Sequence, residues 1–220
     1  MMRLRFLLVL IVAVLTGCDA SGGDGASSRV NGSVHISAGR PPGVAETVNG
    51  AVDIDADAVV TAAKTVNGGI RLGAHATADS LDTVNGGVTV DSGARVGGSV
   101  ETVNGTITLR NGADVAGDLE NVNGAIELTS AHVAGGITTV DGNIDIRGTS
   151  RVERGILVQK AEHSFLHWGN EVPRIVIGAG SRIEGDLRFE RPVRLFVSDR
   201  ATIGAVVGAT AVRFTGDGPG

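Results

Sequence analysis

Five histidines, one cysteine and a triplet of alternating aspartates are the residues of this 220-residue chain whose types could support chemistry. The histidines are His35, His75, His132, His163 and His167. They are the natural candidates for a general base near neutral pH. An acyl-transfer site would need such a base beside a cofactor groove, oriented by an acidic neighbour. None of the five recurs at a fixed interval and spacing gives none an acidic partner, so exposed positions on the surface are expected. His163 and His167 lie four apart, which on a helix would place two zinc ligands on one face. No HExxH pattern surrounds them, and a solvated loop is expected instead. Asp53, Asp55 and Asp57 alternate with Ile54 and Ala56. Three carboxylates could hold Ca²⁺, but the same alternation describes the outer side of a strand whose Ile54 points inward, and that is the expectation. Gly68-Gly69 and Gly97-Gly98 open no helix, so they are not phosphate loops. No catalytic, cofactor-binding or metal-ligating residue is assigned, and no cofactor is expected.

The cysteine is different. Arg3 and Arg5 precede an apolar run, Phe6 to Leu15, that is shorter than the roughly 20 residues a membrane-spanning helix needs. A short positive segment followed by a short apolar one has the make-up of a secretory signal. Leu15-Thr16-Gly17-Cys18 follows directly and resembles the bacterial lipobox, in which the cysteine receives a lipid and becomes the new N-terminus. Cys18 is the only cysteine, so it has no internal disulfide partner. Lipid attachment at Cys18 and a signal peptide over 1–17 are therefore expected. Residues 18–29 hold no large apolar side chain and read as a flexible tether reaching on the order of 18 Å.

The elements that must carry these residues are set by a repeat. Val-Asn-Gly occurs at Val30, Val48, Val66, Val84, Val103 and Val122, with Val140-Asp141-Gly142 as a variant. The corresponding Asn or Asp positions are Asn31, Asn49, Asn67, Asn85, Asn104, Asn123 and Asp141, so the interval never departs from eighteen or nineteen. Within each period aliphatic residues recur every six: Val48, Ile54, Val60, Val66, Leu72, Ala78, Val84, Val90, Val96, then Val103, Leu109, Val115, then Val122, Leu128. Three six-residue sides per period predict a triangular coil whose short strands point these residues inward. Asn-Gly is expected at a vertex, in left-handed backbone. Stacked coils would satisfy each other's backbone at about 4.8 Å per coil, giving a rod on the order of 45 Å long. Aromatic residues make up only 3% of the chain, as a narrow aliphatic interior requires. Solenoid repeats are expected over 30–158, an irregular loop over 159–174, further coils and a cap over 175–215, and a tail over 216–220. Phe189, Phe196 and Phe214 are the expected cap. The Thr column (Thr47, Thr65, Thr83, Thr102, Thr139) and the Asn column (Asn49, Asn67, Asn85, Asn104, Asn123) could form an ice-binding face. Hydrogen bonding along the stack is the expected reading, because Asn-Gly belongs at a corner.

Two resemblances rest on these motifs. The run from Gly93 to Val122, GARVGGSVETVNGTITLRNGADVAGDLENV, and the run from Val176 to Leu187, VIGAGSRIEGDL, resemble bactofilins. The resemblance implies a right-handed triangular β-helix that polymerises without nucleotide. The repeated Thr-Val-Asn-Gly resembles a family of bacterial envelope β-solenoids labelled as adhesins. Six-residue periodicity is also shared with β-helical acyltransferases.

The fold class expected is all-β, a single-stranded parallel β-solenoid of about 18 residues per coil. Removing Arg3 and Arg5 leaves 17 basic and 24 acidic residues, and no basic patch points to nucleic acid. Residues 30–150 carry 6 Lys/Arg against 14 Asp/Glu, and residues 151–220 carry 10 against 8. The expected role is a non-enzymatic scaffold or interaction module of the cell envelope, anchored to a membrane through Cys18 and able to self-associate, with a protein or envelope-polymer partner. An adhesin-like binder and a degenerate acyltransferase are the alternatives. Asp19 after the lipidated cysteine resembles an inner-membrane retention signal.

Overall fold

A computed structural model of the protein describes residues 20–21, 26–160, 172–216 and 218–219. The described residues form one β-solenoid of about ten turns without a helix. Each full coil contributes three short strands, exemplified by Val100–Asn104, Ile107–Leu109 and Asp114–Val115. These stack in parallel on their equivalents one coil away and define three faces, here called first, second and third in that order. Ile107, Thr108 and Leu109 pair with Val88, Thr89 and Val90 below and with Ile126, Glu127 and Leu128 above. The second face continues unbroken through ten strands, from Val34–Ile36 to Ala211–Phe214.

The one-residue insertions have a definite place. In Val59–Asn67 and Thr77–Asn85 the third and first faces run on as single nine-residue strands. Ala78 and Leu81 pair with Val96 and Val100, so Gly97-Gly98-Ser99 occupies the space of two residues in the coil below. From there on the strand breaks at this corner.

Inside the rod the fully enclosed apolar side chains are Leu, Ile, Val and Ala, including Leu72, Leu81, Ile107, Leu109, Leu119 and Ile126. Each such burial is worth roughly 1.5–3 kcal/mol relative to exposure. Among the described residues the buried apolar side chains lie between Val34 and Val197, with partly buried neighbours continuing to Ala211.

Two inner columns follow the six-residue period, and the third does not. Val48, Val66, Val84, Val103 and Val122 are only half-buried and point outward. The side chains that point inward there are the threonines: Thr47, Thr65, Thr83 and Thr102 are at most 2% exposed. Each donates its hydroxyl to the carbonyl of a glycine one coil back, as Thr102 does to Gly86 at 2.9 Å. Period six cannot tell position n from n − 1 at a corner where the chain bends. The hydrogen bond makes a threonine acceptable inside, because a buried hydroxyl without one would cost on the order of 1–3 kcal/mol.

The Asn-Gly vertex also has a different physical basis from the one expected. None of the Asn residues of the motif is left-handed, and of its glycines Gly32 and Gly124 have positive φ whereas Gly50, Gly68, Gly86 and Gly105 do not. A Cβ on Gly105 would collide with the Gly86 carbonyl one coil below. Glycine is needed here for close stacking. The left-handed column stands at the corner between the second and third faces: Gly39, Asp57, His75, Gly93, Gly112, Ser130, Gly148 and Gly180, with φ between 48° and 80°.

The stack begins with Ser27–Asn31, paired to Val44–Asn49, and Ala20–Ser21 pairs with it antiparallel. The register holds across residues 161–171, since Ile144 and Ile146 pair with Ile175 and Ile177. Of the three phenylalanines expected to cap the rod, only Phe214 stands in the last strand, half-buried and in register with Ser198. Phe189 is an inner residue of the penultimate coil, 5% exposed, and Phe196 lies on the outer side of the second face. Residues 1–19, which contain the expected signal and Cys18, and residues 161–171, which contain His163, His167 and Trp168, fall outside the described residues.

Candidate functional site

In-register parallel stacking converts one repeat period along the chain into direct contact. This brings ionisable groups far apart in the chain into three vertical ladders, one on each face.

On the third face the first strand position reads Arg95, Asp114, His132, Arg151, Arg182 up the rod. His132 Nδ1 lies 2.6 Å from Asp114 and its Nε2 lies 3.1 Å from Glu153. Arg151 continues the chain of charges to Glu153 at 3.4 Å and to Glu184 at 3.1 Å, and Arg182 reaches Glu184 at 3.4 Å. With a carboxylate beside each ring nitrogen, the arrangement favours the imidazolium, in which both nitrogens donate. Burial opposes that charge, but the bonds to Asp114 and Glu153 outweigh it and raise the pKa above the usual histidine value. The absence of an acidic partner expected for the histidines is therefore wrong for His132. Asp114 precedes it by one repeat period, and that was the available signal. His35 likewise pairs with Asp55 at 3.1 Å.

This ladder borders an open groove of about 590 Å³ lined by His75, Arg95, Asp114, Ser130, His132 and Arg151 among others. Ser130, His132 and Asp114 bring a hydroxyl, an imidazole and a carboxylate into one groove. Both nitrogens of His132 face carboxylates and not the Ser130 hydroxyl. The Ser130 hydroxyl instead receives the backbone N–H of Thr149 at 3.4 Å.

On the second face Asp91, whose side chain is 7% exposed, lies between Arg71 at 2.7 Å and Arg110 at 2.9 Å. The aspartate triplet does not converge. Only Asp53 belongs to a strand, Val52–Ile54; Asp55 holds His35, and Asp57 occupies the left-handed corner. Among the described residues no group of three or more His, Cys, Asp or Glu side chains could hold a metal ion.

On the first face Glu46, Lys64, Asp82, Glu101 and Glu120 stack in register. Burial, reinforced by Asp82, Glu120 and Asp118, pushes the Glu101 carboxyl up to about 7. Burial also raises Asp82, against the pull of Lys64 and the bond from Ser80. Beyond this ladder runs an asparagine ladder at the vertex, in which each amide donates to the side-chain carbonyl one coil back: Asn49 to Asn31, Asn67 to Asn49, Asn85 to Asn67 and Asn104 to Asn85, at 2.9–3.0 Å. The threonines that an ice-binding face would require on the outside are the buried ones described above.

No protein-family model, curated protein or solved structure matches this chain. The site's geometry is a set of long, regular, charged faces in which side chains serve one another, with an open groove on the third face.

Proposed function

We propose that this protein is a lipid-anchored, non-enzymatic scaffold of the bacterial cell envelope, a rod whose side faces bind a protein or envelope-polymer partner. The observation that carries the reading is the His132 cluster. In the groove on the third face, a base, a hydroxyl and a carboxylate come together, and both imidazole nitrogens lie against carboxylates. The position of Cys18 behind a signal-like segment supports attachment to a membrane. Anchoring and scaffolding are tested together in cells. Wild type is expected in the membrane fraction and, after amine- and carboxyl-reactive cross-linking, in species larger than one chain. Cys18→Ala is expected to stay unprocessed or to leave the membrane. A Cys18→Ala chain that is processed and remains membrane-bound would refute lipidation. A wild-type chain that yields no cross-linked species would refute the scaffold.

A further inference from the structure

Asparagine followed by glycine is a chemically labile pair. Glycine has no Cβ to hinder its backbone nitrogen from swinging onto the asparagine side-chain carbonyl, and asparagine is a thermolabile residue. The chain carries seven such pairs, beginning at Asn31, Asn49, Asn67, Asn85, Asn104, Asn111 and Asn123.

The stack holds five of the seven at both reacting groups. The side chains of Asn31, Asn49, Asn67, Asn85 and Asn104 are tied to one another in the asparagine ladder. The N–H of each following glycine, which would be the attacking group, donates to the asparagine carbonyl of the next coil at 2.8–3.1 Å. Asn49, Asn67 and Asn85 are exposed, yet neither of their reacting groups is free.

Both ties end at Asn123. Its amide does not extend the ladder to Asn104, and among the described residues its side chain has no hydrogen-bond partner and the Gly124 N–H meets no carbonyl. The cause is one inward residue. Asn121, 4% exposed, stands where threonine stands in the earlier coils. Its amide donates to the Gly105 carbonyl at 2.7 Å and to the Asn123 carbonyl at 3.3 Å, and its Oδ1 accepts the Thr139 hydroxyl at 3.1 Å. Thr139 is thereby diverted from the Gly124 carbonyl, the acceptor that the pattern of the earlier threonines would give it. Strand pairing to the coil above then stops at Leu119 and Glu120, and the Asp141 N–H donates to the Val122 carbonyl instead of the chain closing over Gly124. Gly124 itself has turned to a φ of 130°.

We propose that Asn123–Gly124 is a site of spontaneous covalent modification, where the asparagine becomes aspartate and isoaspartate with water as the only co-reactant. The Gly124 nitrogen attacks Asn123 Cγ. A bond forms between them, the Cγ–Nδ2 bond breaks, and ammonia leaves carrying the proton that the Gly124 nitrogen gives up. Water then opens the cyclic imide at either carbonyl. One opening leaves aspartate, and the other draws the side-chain carbon into the main chain as isoaspartate. The aspartate product suits the fold, because Asp141 already occupies the asparagine place of the motif one period later. Asn111–Gly112 keeps one tie, from the Gly112 N–H to the Ser130 carbonyl at 2.8 Å, and ranks between Asn123 and the ladder.

The repeat contains its own control. Val-Asn-Gly-Ala occurs at 48–51 and again at 122–125, so the local sequence is the same and only the stack differs. The full chain, purified in detergent, is aged in mildly alkaline buffer, and its peptides are mapped by mass spectrometry with fragmentation that assigns site and isomer. In the folded protein Asn123 should convert at least about tenfold faster than Asn49, the factor set by the two ordinary hydrogen bonds that hold Asn49 and Gly50. In concentrated urea the two should convert within about twofold of each other, because the stack is gone. Asn123→Gln, whose longer side chain does not close this ring readily, should leave tryptic peptide 111–147 converting only at Asn111. Equal rates at Asn49 and Asn123 in the folded protein would overturn the proposal. So would conversion of Asn111 or a ladder asparagine ahead of Asn123, or an unchanged Asn123 over a period in which the urea sample reacts.

Discussion

Replacing Glu101 by Gln is expected to stabilise the protein above neutral pH and to do little in acid. The Glu101 carboxyl titrates near 4.5 when unfolded and at about 7 in the rod, because it is half-buried and stacked between Asp82 and Glu120 with Asp118 nearby. A carboxyl whose folded pKa is raised opposes folding once it ionises. Below 4.5 it is protonated in both states and no penalty exists. The penalty grows between 4.5 and 7 and is complete above 7. At about 1.36 kcal/mol per pH unit the ceiling is roughly 3.4 kcal/mol. Glu101 is open to solvent on one side, so screening leaves on the order of 1–2 kcal/mol. Glutamine keeps the shape and removes the charge. Urea denaturation, which leaves ionic strength unchanged, should show Glu101→Gln more stable than wild type by about 1–2 kcal/mol near pH 8 and within about 0.5 kcal/mol near pH 5. Equal differences at both pH values, or a glutamine variant less stable at the higher pH, would refute the reasoning.

Other perturbations probe the rest of the architecture. Leu109→Asp places an unpaired charge in a fully buried position and should cost more than about 4 kcal/mol or abolish cooperative unfolding by circular dichroism. Asp114→Asn removes one partner of a partly exposed ion pair and should cost about 0.5–1 kcal/mol. Because the His132 pKa is raised, the stability contributed by this pair is present below the ordinary histidine value and disappears as pH rises through the folded one. The Asp114→Asn loss should accordingly shrink in alkaline urea melts, and a constant loss would count against it. Thr102→Val keeps the shape but strands the Gly86 carbonyl, at a cost of roughly 1–3 kcal/mol, whereas Thr102→Ser should cost under about 1 kcal/mol. A Thr102→Val chain as stable as wild type would show that the buried hydroxyl is dispensable. Gly105→Ala should be more damaging than Gly112→Ser. The first forces a Cβ into the backbone below, and the second only strains a left-handed corner that Ser130 already tolerates one coil later. Equal melting temperatures for the two would contradict this.

The repeat carried most of the architecture by itself. Val-Asn-Gly at a steady period, with aliphatic residues every six, determines a stacked coil, because one coil can bury nothing and pair with nothing alone. It also foretold the asparagine ladder, since identical amides in register have no better partner than one another. Hydrophobic periodicity did not decide which of two adjacent residues turns inward at a bend. Val103 and Thr102 are equally compatible with period six, and the choice fell to the threonine because a glycine carbonyl one coil away accepts its hydroxyl. Nor did residue type reveal why glycine follows asparagine: the reason is the approach of the next coil, a distance that only stacking creates. The charge ladders were likewise hidden. His132 looked solitary beside its sequence neighbours, yet Asp114 and Glu153 reach it from the coils on either side, about one repeat away in each direction. In a solenoid the contacts that tune a side chain come from one period before and one period after. Counting along the chain finds the rod, and only the register of the stack says which groups touch.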